Sequence, residues 1–273
     1  MILYPQAKIN LGLRIVGRRP DGYHDLETVF FPVGWSDILE MVPAGAVRYD
    51  VRLTMSGLPV AGRRRDNLVV RAARLLQERH GMPAVRFHLH KQVPAGAGLG
   101  GGSADAAATL QGLNTLFALG LDDDELAALA LILGSDVSFF LHGRPAVARG
   151  RGEVLEPLAL DLRGYHLLIV FPGLHLDTAE MFRRTLPGRE GLSPAAAVTL
   201  PPAQWRGRLV NDFQTTAVAL APAIGEIVEK LYDAGAVYAS LSGSGSAVYG
   251  LFVAAPPRLT WPAGYLTWHE EIR

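Results

Sequence analysis

Residues Pro94–Leu110 read PAGAGLGGGSADAAATL, and the rest of the chain is organised around them. Glycine loses more backbone freedom on folding than any other residue, so five glycines between positions 96 and 102 need a reason. Ser103, Ala104 and Asp105, followed by an alanine run, read as a helix start. Upstream, Val85–Val93 (VRFHLHKQV) alternates apolar and polar residues as a half-buried strand does. The helix is expected over Ser103–Leu119. Strand, glycine loop and helix N-terminus together gather unpaired backbone N–H groups, which is the arrangement that holds an anion such as phosphate. A glycine-rich surface turn without ligand is the bland alternative.

Two general nucleotide-binding patterns fit less well. A P-loop requires Lys followed by Ser or Thr after its last glycine, whereas Gly102 is followed by Ser103 and Ala104. G-x-G-x-x-G does occur at Gly96, Gly98 and Gly101. A dinucleotide site would also need a fully apolar parallel strand before the loop and an acidic residue ending a second strand about 20 residues on. His88, His90 and Lys91 do not suit that strand, and Asp122–Asp124 open a helix, DDDELAALALIL, running to Leu133.

Composition narrows the class. The chain has 273 residues, long enough for two domains, with a formal net charge of +0 that supplies no footprint for nucleic acid or an anionic membrane. Without cysteine there is no disulfide, thiolate metal site or cysteine nucleophile. No signal peptide is visible in MILYPQAKINLGL, and runs such as Leu126–Leu133 fall short of a bilayer span. A cytoplasmic protein, monomeric or weakly dimeric, is expected. Lysine occurs only at positions 8, 91 and 230 in a chain that otherwise uses arginine, which suggests that its compact point charge is needed there.

In chain order, Ala7–Val16 (AKINLGLRIV) reads as a strand with Lys8, Asn10 and Gly12 on one face. That face is either solvated or part of a site. The turn Gly17–His24 (GRRPDGYH) delivers Tyr23 and His24 to a strand over Leu26–Val33. Strands follow over Ile38–Val42 and Val47–Leu53, then a loop over Ser56–Arg65. Asp66-Asn67 caps a helix over Leu68–His80, stopped by Gly81. Asp136, alone among apolar neighbours in LGSDVSFFLH, either caps a short turn or faces the phosphate loop. Pro157–Gly164 reads as a linker, so the division expected is 1–157 and 158–273. Beyond it come a strand over Tyr165–Phe171, a helix over Thr178–Leu186, a helix within Ala219–Gly235, and strands over Val237–Leu241 and Ala247–Ala254 flanking a second glycine loop, Ser242–Ser246 (SGSGS). Arg189–Pro202 reads as loop with a broken helix. Two α+β domains with a glycine loop in each half are expected to put a small-molecule cleft between them.

The run P-x-x-x-G-L-G-G-G-S-x-D-A-A, an N-terminal strand bearing Lys and the late LSGSGSAV resemble the GHMP kinase superfamily. Within it the chain is most similar to the 4-diphosphocytidyl-2-C-methyl-D-erythritol kinases, through AKINLGL, DGYHDLET, DNLVVRAARLL and LGSDV. These blocks span residue 7 to about 248, and Ala104 stands where the loop often has a second Ser. The resemblance implies an S5-like N-terminal α/β domain, a ferredoxin-like C-terminal α+β domain, and transfer of the ATP γ-phosphate, with Mg²⁺, to the 2-hydroxyl of the cytidylated methylerythritol.

It also implies roles. Pro94, Gly96, Gly98, Leu99, Gly100, Gly101, Gly102, Ser103, Ala104 and Asp105 would hold phosphate, with Asn67, Leu68 and Lys91 near the adenine. Ser103 is the candidate Mg²⁺ ligand. Asp136 would take the hydroxyl proton, with Lys8 beside it at the mouth of the cradle. Tyr23 and Phe182 would sandwich cytosine, unless Phe182 is simply core, and His24 would read the base edge. Asn10, Thr178, Gly243, Ser244 and Gly245 would complete the substrate site. Homoserine or mevalonate kinase activity, an NAD-dependent oxidoreductase and a non-catalytic nucleotide-binding regulator are the competing readings.

Overall fold

The structure, a computed structural model, describes residues 1–45, 50–186 and 191–273. In chain order its elements are β1 (Ile2–Leu3), β2 (Gln6–Arg18), β3 (His24–Ser36), β4 (Ile38–Pro43), β5 (Val51–Gly57), α1 (Leu68–His80), β6 (Val85–Lys91), α2 (Gly101–Leu116), α3 (Asp123–Leu133) and α4 (Val137–His142). They continue with β7 (Ala146–Gly150), β8 (Val154–Pro157), β9 (His166–Phe171), α5 (Thr178–Arg184), α6 (Pro194–Ala197), α7 (Phe213–Leu220), α8 (Ala223–Asp233), β10 (Tyr238–Leu241), β11 (Val248–Phe252) and β12 (Leu266–Glu271). Residues 46–49 and 187–190, which include the start of the strand expected over Val47–Leu53 and of the loop expected from Arg189, lie outside the described residues.

Two compact units alternate along the chain: Met1–Ala7, Gly34–Ala95 and Gly100–Arg144 form one, and Lys8–Val33, Gly96–Leu99 and Pro145–Arg273 the other. In the first, a sheet of order β1-β4-β6-β5 packs one face against α1–α4. Strand β6 runs parallel to β5 through the α1 crossover and antiparallel to β4. Val85, Phe87 and Leu89 face the core while Arg86 is exposed, so the strand before the phosphate loop is half-buried. That is the alternation read from the sequence, not the two-sided apolar strand of a dinucleotide fold. Asn67 caps α1 by accepting the Val69 N–H at 2.9 Å, and Gly81 ends it in the left-handed conformation. Asp122 and Glu125 form a reciprocal capping box on α3.

The second unit holds the sheet β2-β3-β7-β8 and an antiparallel sheet of order β10-β11-β9-β12. Numbered within that sheet the order is 2-3-1-4, the ferredoxin-like arrangement. Leu13 and Ile15 of β2 share a core with Val170, Phe213, Ile227 and Val248.

The structure refines three readings. Helix α2 starts at Gly101 instead of Ser103, because Gly100 (φ 69°) turns the chain one step earlier; it ends at Leu116, not Leu119. The helix expected within Ala219–Gly235 is α8, and a further helix, α7, that the sequence did not mark precedes it. Pro222 lacks an N–H and disfavours helical backbone at Ala221 (φ −143°), so the turn breaks there. Strand β2 is not solvated on its Lys8–Asn10 face, since both faces are buried.

Candidate active site

Lys8 is 4% exposed in the middle of β2. Its ammonium donates to Asn10 Oδ1 at 2.5 Å and to the Gly98 carbonyl at 3.2 Å, and lies 4.9 Å from the Phe30 ring centroid. The Lys8 backbone N–H donates to Leu99 O at 2.9 Å. The first half of the phosphate loop is thus fastened along the strand that carries the lysine.

The second glycine loop closes on the same point. Ser242 Oγ donates to Gly98 O at 2.9 Å and accepts from the Asn10 N–H at 3.2 Å, while the Ala247 N–H donates to Ala97 O at 3.0 Å. A Cβ added to Gly98 would stand 2.0 Å from Ser242 O, and one on Gly243 3.1 Å from Asn10 Oδ1. The two glycine loops, expected in separate halves, therefore touch. Asn211, which no sequence signal marked, pins the second loop by donating to Leu241 O and Gly243 O. Ser244 pairs with Thr178 at 3.0 Å.

Gly96, Gly98 and Gly100 all have positive φ (66°, 79° and 69°). Left-handed backbone of this kind is one ingredient of the concave backbone forms that bind anions. Gly101–Ser103 then form the first turn of α2, whose N–H groups and dipole also favour negative charge.

In the first unit a cavity of about 500 Å³ is lined by residues 55–64, Asn67, Leu68, Lys91, Gly102 and Asp105. It brings together the residues expected around adenine with the start of α2. Lys91, 3% exposed, donates to Asp37 and, at 3.0 Å, to Asp105 Oδ2. Burial works to lower the Lys91 pKa, but the two carboxylates outweigh it and hold the ammonium above its usual value. Asp105 is pushed up, chiefly by burial, with the Asp37 charge adding to it and Lys91 opposing. One ammonium can neutralise only one of two buried carboxylates. Asp37 also accepts the Gln92 and Val93 N–H groups, whereas Asp105 Oδ1 has no partner among the described residues. Asp37 was missed in the sequence, although a carboxylate following the apolar run VFFPVGW is the same signal that marked Asp136. Asp136 itself is the half-buried residue at the start of α4, and its side chain makes no cap there.

On the other unit His24 lies flat on Phe182, ring centroids 4.8 Å apart at 16°, and Phe182 meets Phe213 edge-on. Tyr23 is 57% exposed, with the Arg151 guanidinium 4.8 Å from its ring centroid. His24, expected at the edge of a base, is therefore the ring stacked on Phe182.

Family comparisons agree with this geometry. The profile of the GHMP kinases N terminal domain matches residues 67–144, and that of the GHMP kinases C terminal region matches residues 197–258. The chain is 45% identical over 252 residues to a 4-diphosphocytidyl-2-C-methyl-D-erythritol kinase of Bacteroides thetaiotaomicron, covering 92% of each chain. It belongs to that family of GHMP kinases. A crystal structure of a 4-(cytidine 5'-diphospho)-2C-methyl-D-erythritol kinase superposes with a TM-score of 0.77 at 38% identity, covering 92% of this chain and 90% of the other. The homoserine kinase of Cytophaga hutchinsonii, at a TM-score of 0.63 and 20% identity over 91% of this chain and 85% of its own, shares the fold. This GHMP kinase is thus a two-domain α+β small-molecule kinase. Among its described residues no helix is long and apolar enough to cross a membrane.

Proposed function

We propose that the protein transfers the γ-phosphate of ATP to the 2-hydroxyl of 4-diphosphocytidyl-2-C-methyl-D-erythritol. The observation that carries the substrate choice is the His24–Phe182 stack, built by the DGYH hairpin in the same unit as Lys8 and Asn10. A nucleobase is read by aromatic faces, and each stacked base is worth about 1–3 kcal/mol. Neither homoserine nor mevalonate offers such a base. Residues 1–157 would carry ATP, and residues 158–273 the cytidylated substrate together with the Asn10 strand and the Tyr23–His24 hairpin.

Phosphoryl transfer asks the protein for positioning and charge neutralisation more than for covalent chemistry. In this reading the N–H groups of Gly98–Ser103 hold the phosphates, and the cavity beside Asn67, Leu68 and Lys91 takes the adenosine. Tyr23, His24 and Phe182 hold the cytosine, and Thr178 with the Gly243–Gly245 loop holds the remainder. Asp136 accepts the proton of the attacking hydroxyl, and Lys8 steadies the charge that develops on transfer. No cluster of three or more His, Asp or Glu side chains suited to a metal is found among the described residues. The half-buried Ser103 hydroxyl suits Mg²⁺, a hard ion that keeps several waters and needs few protein ligands when phosphates are present. Bound there, Mg²⁺ would supply charge neutralisation. The test is ADP release by purified protein with ATP and Mg²⁺, with and without the cytidylated erythritol, and with homoserine and mevalonate in parallel. Release with the cytidylated alcohol alone is expected; equal release with homoserine or mevalonate overturns the assignment.

A further inference from the structure

Thr28, the last residue of DGYHDLET, has no role in the scheme above, yet it is fully buried beside the lysine. Its hydroxyl donates to the Gly12 carbonyl at 2.5 Å and accepts from Asn10 Nδ2 at 3.0 Å. Asn10 Oδ1 in turn accepts from the Lys8 ammonium at 2.5 Å. The donor count decides the direction of this chain. A hydroxyl has one proton, and Gly12 takes it; what Thr28 shows Asn10 is therefore an acceptor. Asn10 must answer with its NH₂ group, which leaves its carbonyl, and not its amide hydrogens, facing Lys8. At 2% exposure Asn10 has little water to satisfy it in the reverse orientation, which would set NH₂ against NH₃⁺.

We propose that Thr28 is a positioning residue for the transfer step: through the Gly12 carbonyl and the Asn10 amide it fixes an acceptor on Lys8 and so sets where the ammonium stands. The functional half of this inference rests on Lys8 serving the transferring phosphoryl group; the orientation of the Asn10 amide does not. Strand geometry supports the relay. Lys8, Asn10 and Gly12 alternate along β2, and Thr28 and Phe30 present the same face of the neighbouring β3.

The experiment compares Thr28→Val, which keeps shape and removes the hydroxyl, with Thr28→Ser, which keeps the hydroxyl and removes a methyl. Both lose a buried group, and Tm falls in both. If Thr28 orients Lys8, Thr28→Val lowers kcat by about tenfold or more with KM for ATP within about twofold, the pattern of an interaction made in the transition state. Thr28→Ser restores kcat to within about twofold of the parent. With lysine at only three positions, ¹³C-labelled lysine NMR reads the relay directly. The Lys8 signal, assigned by Lys8→Ala, moves in Thr28→Val and holds in Thr28→Ser, while those of Lys91 and Lys230 stay in place. Unchanged kcat in Thr28→Val, or equal kcat losses in both variants, overturns the proposal. Full activity in Lys8→Ala overturns instead the role given to Lys8, and the NMR arm still decides the relay. If Thr28→Val does not fold, the parent protein decides: contacts from the Asn10 NH₂ hydrogens to the Thr28 methyl support the orientation, and contacts to the Lys8 methylenes overturn it.

Discussion

Asp136 and Asp105 are both carboxylates set among apolar neighbours, and their surroundings give them different work. Asp136, half-buried at the start of a short helix, is the group proposed to receive the substrate's proton. Replacing it with Ala should lower kcat by about 10²–10⁴-fold while the ATP Kd changes by less than about twofold, measured by turnover and by calorimetric titration. Near-parental kcat would remove it from the role of base. Asp105 is the surplus carboxylate of a buried trio and is pushed up to about 7, mainly by burial. A folded-state pKa above the unfolded one means that the folded protein binds the proton more tightly. The stabilisation is complete below the unfolded pKa, near 3.8, and is lost as pH rises through about 7. Lys91, with its own pKa raised, stays charged throughout that window. Urea midpoints at about pH 5 and about pH 8 should therefore differ more in the parent than in Asp105→Asn. Equal differences would mean that another group sets the slope.

At the scale of elements, the two glycine loops behave as one joint. Gly98 combines a left-handed backbone with a position at which any Cβ would stand only 2.0 Å from Ser242 O. Left-handed backbone alone costs a non-glycine residue roughly 1–2 kcal/mol. Relief of the overlap must then move backbone, because no flexible side chain lies in the way. Gly98→Ala should lower Tm and weaken ATP binding together, read by thermal unfolding and nucleotide titration; a variant with parental values for both would show that the loops need no close approach. The Asp37–Lys91–Asp105 trio has the same character on the other unit. It ties the residues just before the phosphate loop, through the Gln92 and Val93 N–H groups, to the helix just after it. Removing Lys91 or Asp37 leaves buried charge uncompensated, so those two positions are expected to tolerate little substitution, whereas Asp105 is the surplus carboxylate.

At the scale of the molecule, the alternation of the two units along the chain has a consequence for any division at residue 157. Leu13 and Ile15 belong to the core built by residues 168–252. The backbones join as well: Leu13 N–H donates to Val210 O at 3.0 Å, Asp212 N–H to Leu13 O at 2.8 Å, and Ile15 N–H to Asp212 Oδ2 at 2.9 Å. Losing a large core side chain costs about 2–5 kcal/mol, against a total domain stability of about 5–15 kcal/mol. The fragment 158–273 made alone should therefore lack a stable fold, seen as poor amide dispersion and dye-accessible apolar surface. A well-dispersed spectrum from that fragment would show that the β2 segment is dispensable to it.

What could be read along the chain was what neighbouring residues encode. The Asn67 cap, the Asp122–Glu125 box, the alternation of Val85–Lys91 and the run of glycines before an alanine-rich helix act over a few positions, and each appears where its signal lies. The shift in the start of α2 was local too, set by Gly100. Which partners meet was settled by packing instead. Gly98 and Ser242 lie 144 positions apart, and Lys91 and Asp37 lie 54 apart; no periodicity links such pairs. Burial then sets the chemistry. A buried ammonium or amide has no water to fall back on, so its orientation follows from the donors and acceptors that the fold brings within reach. Sequence alone thus determined that the chain is a kinase of the GHMP type with a glycine loop leading into a helix, while the tertiary structure decided which way Asn10 faces, which ring lies on Phe182 and where the second carboxylate beside Lys91 comes from.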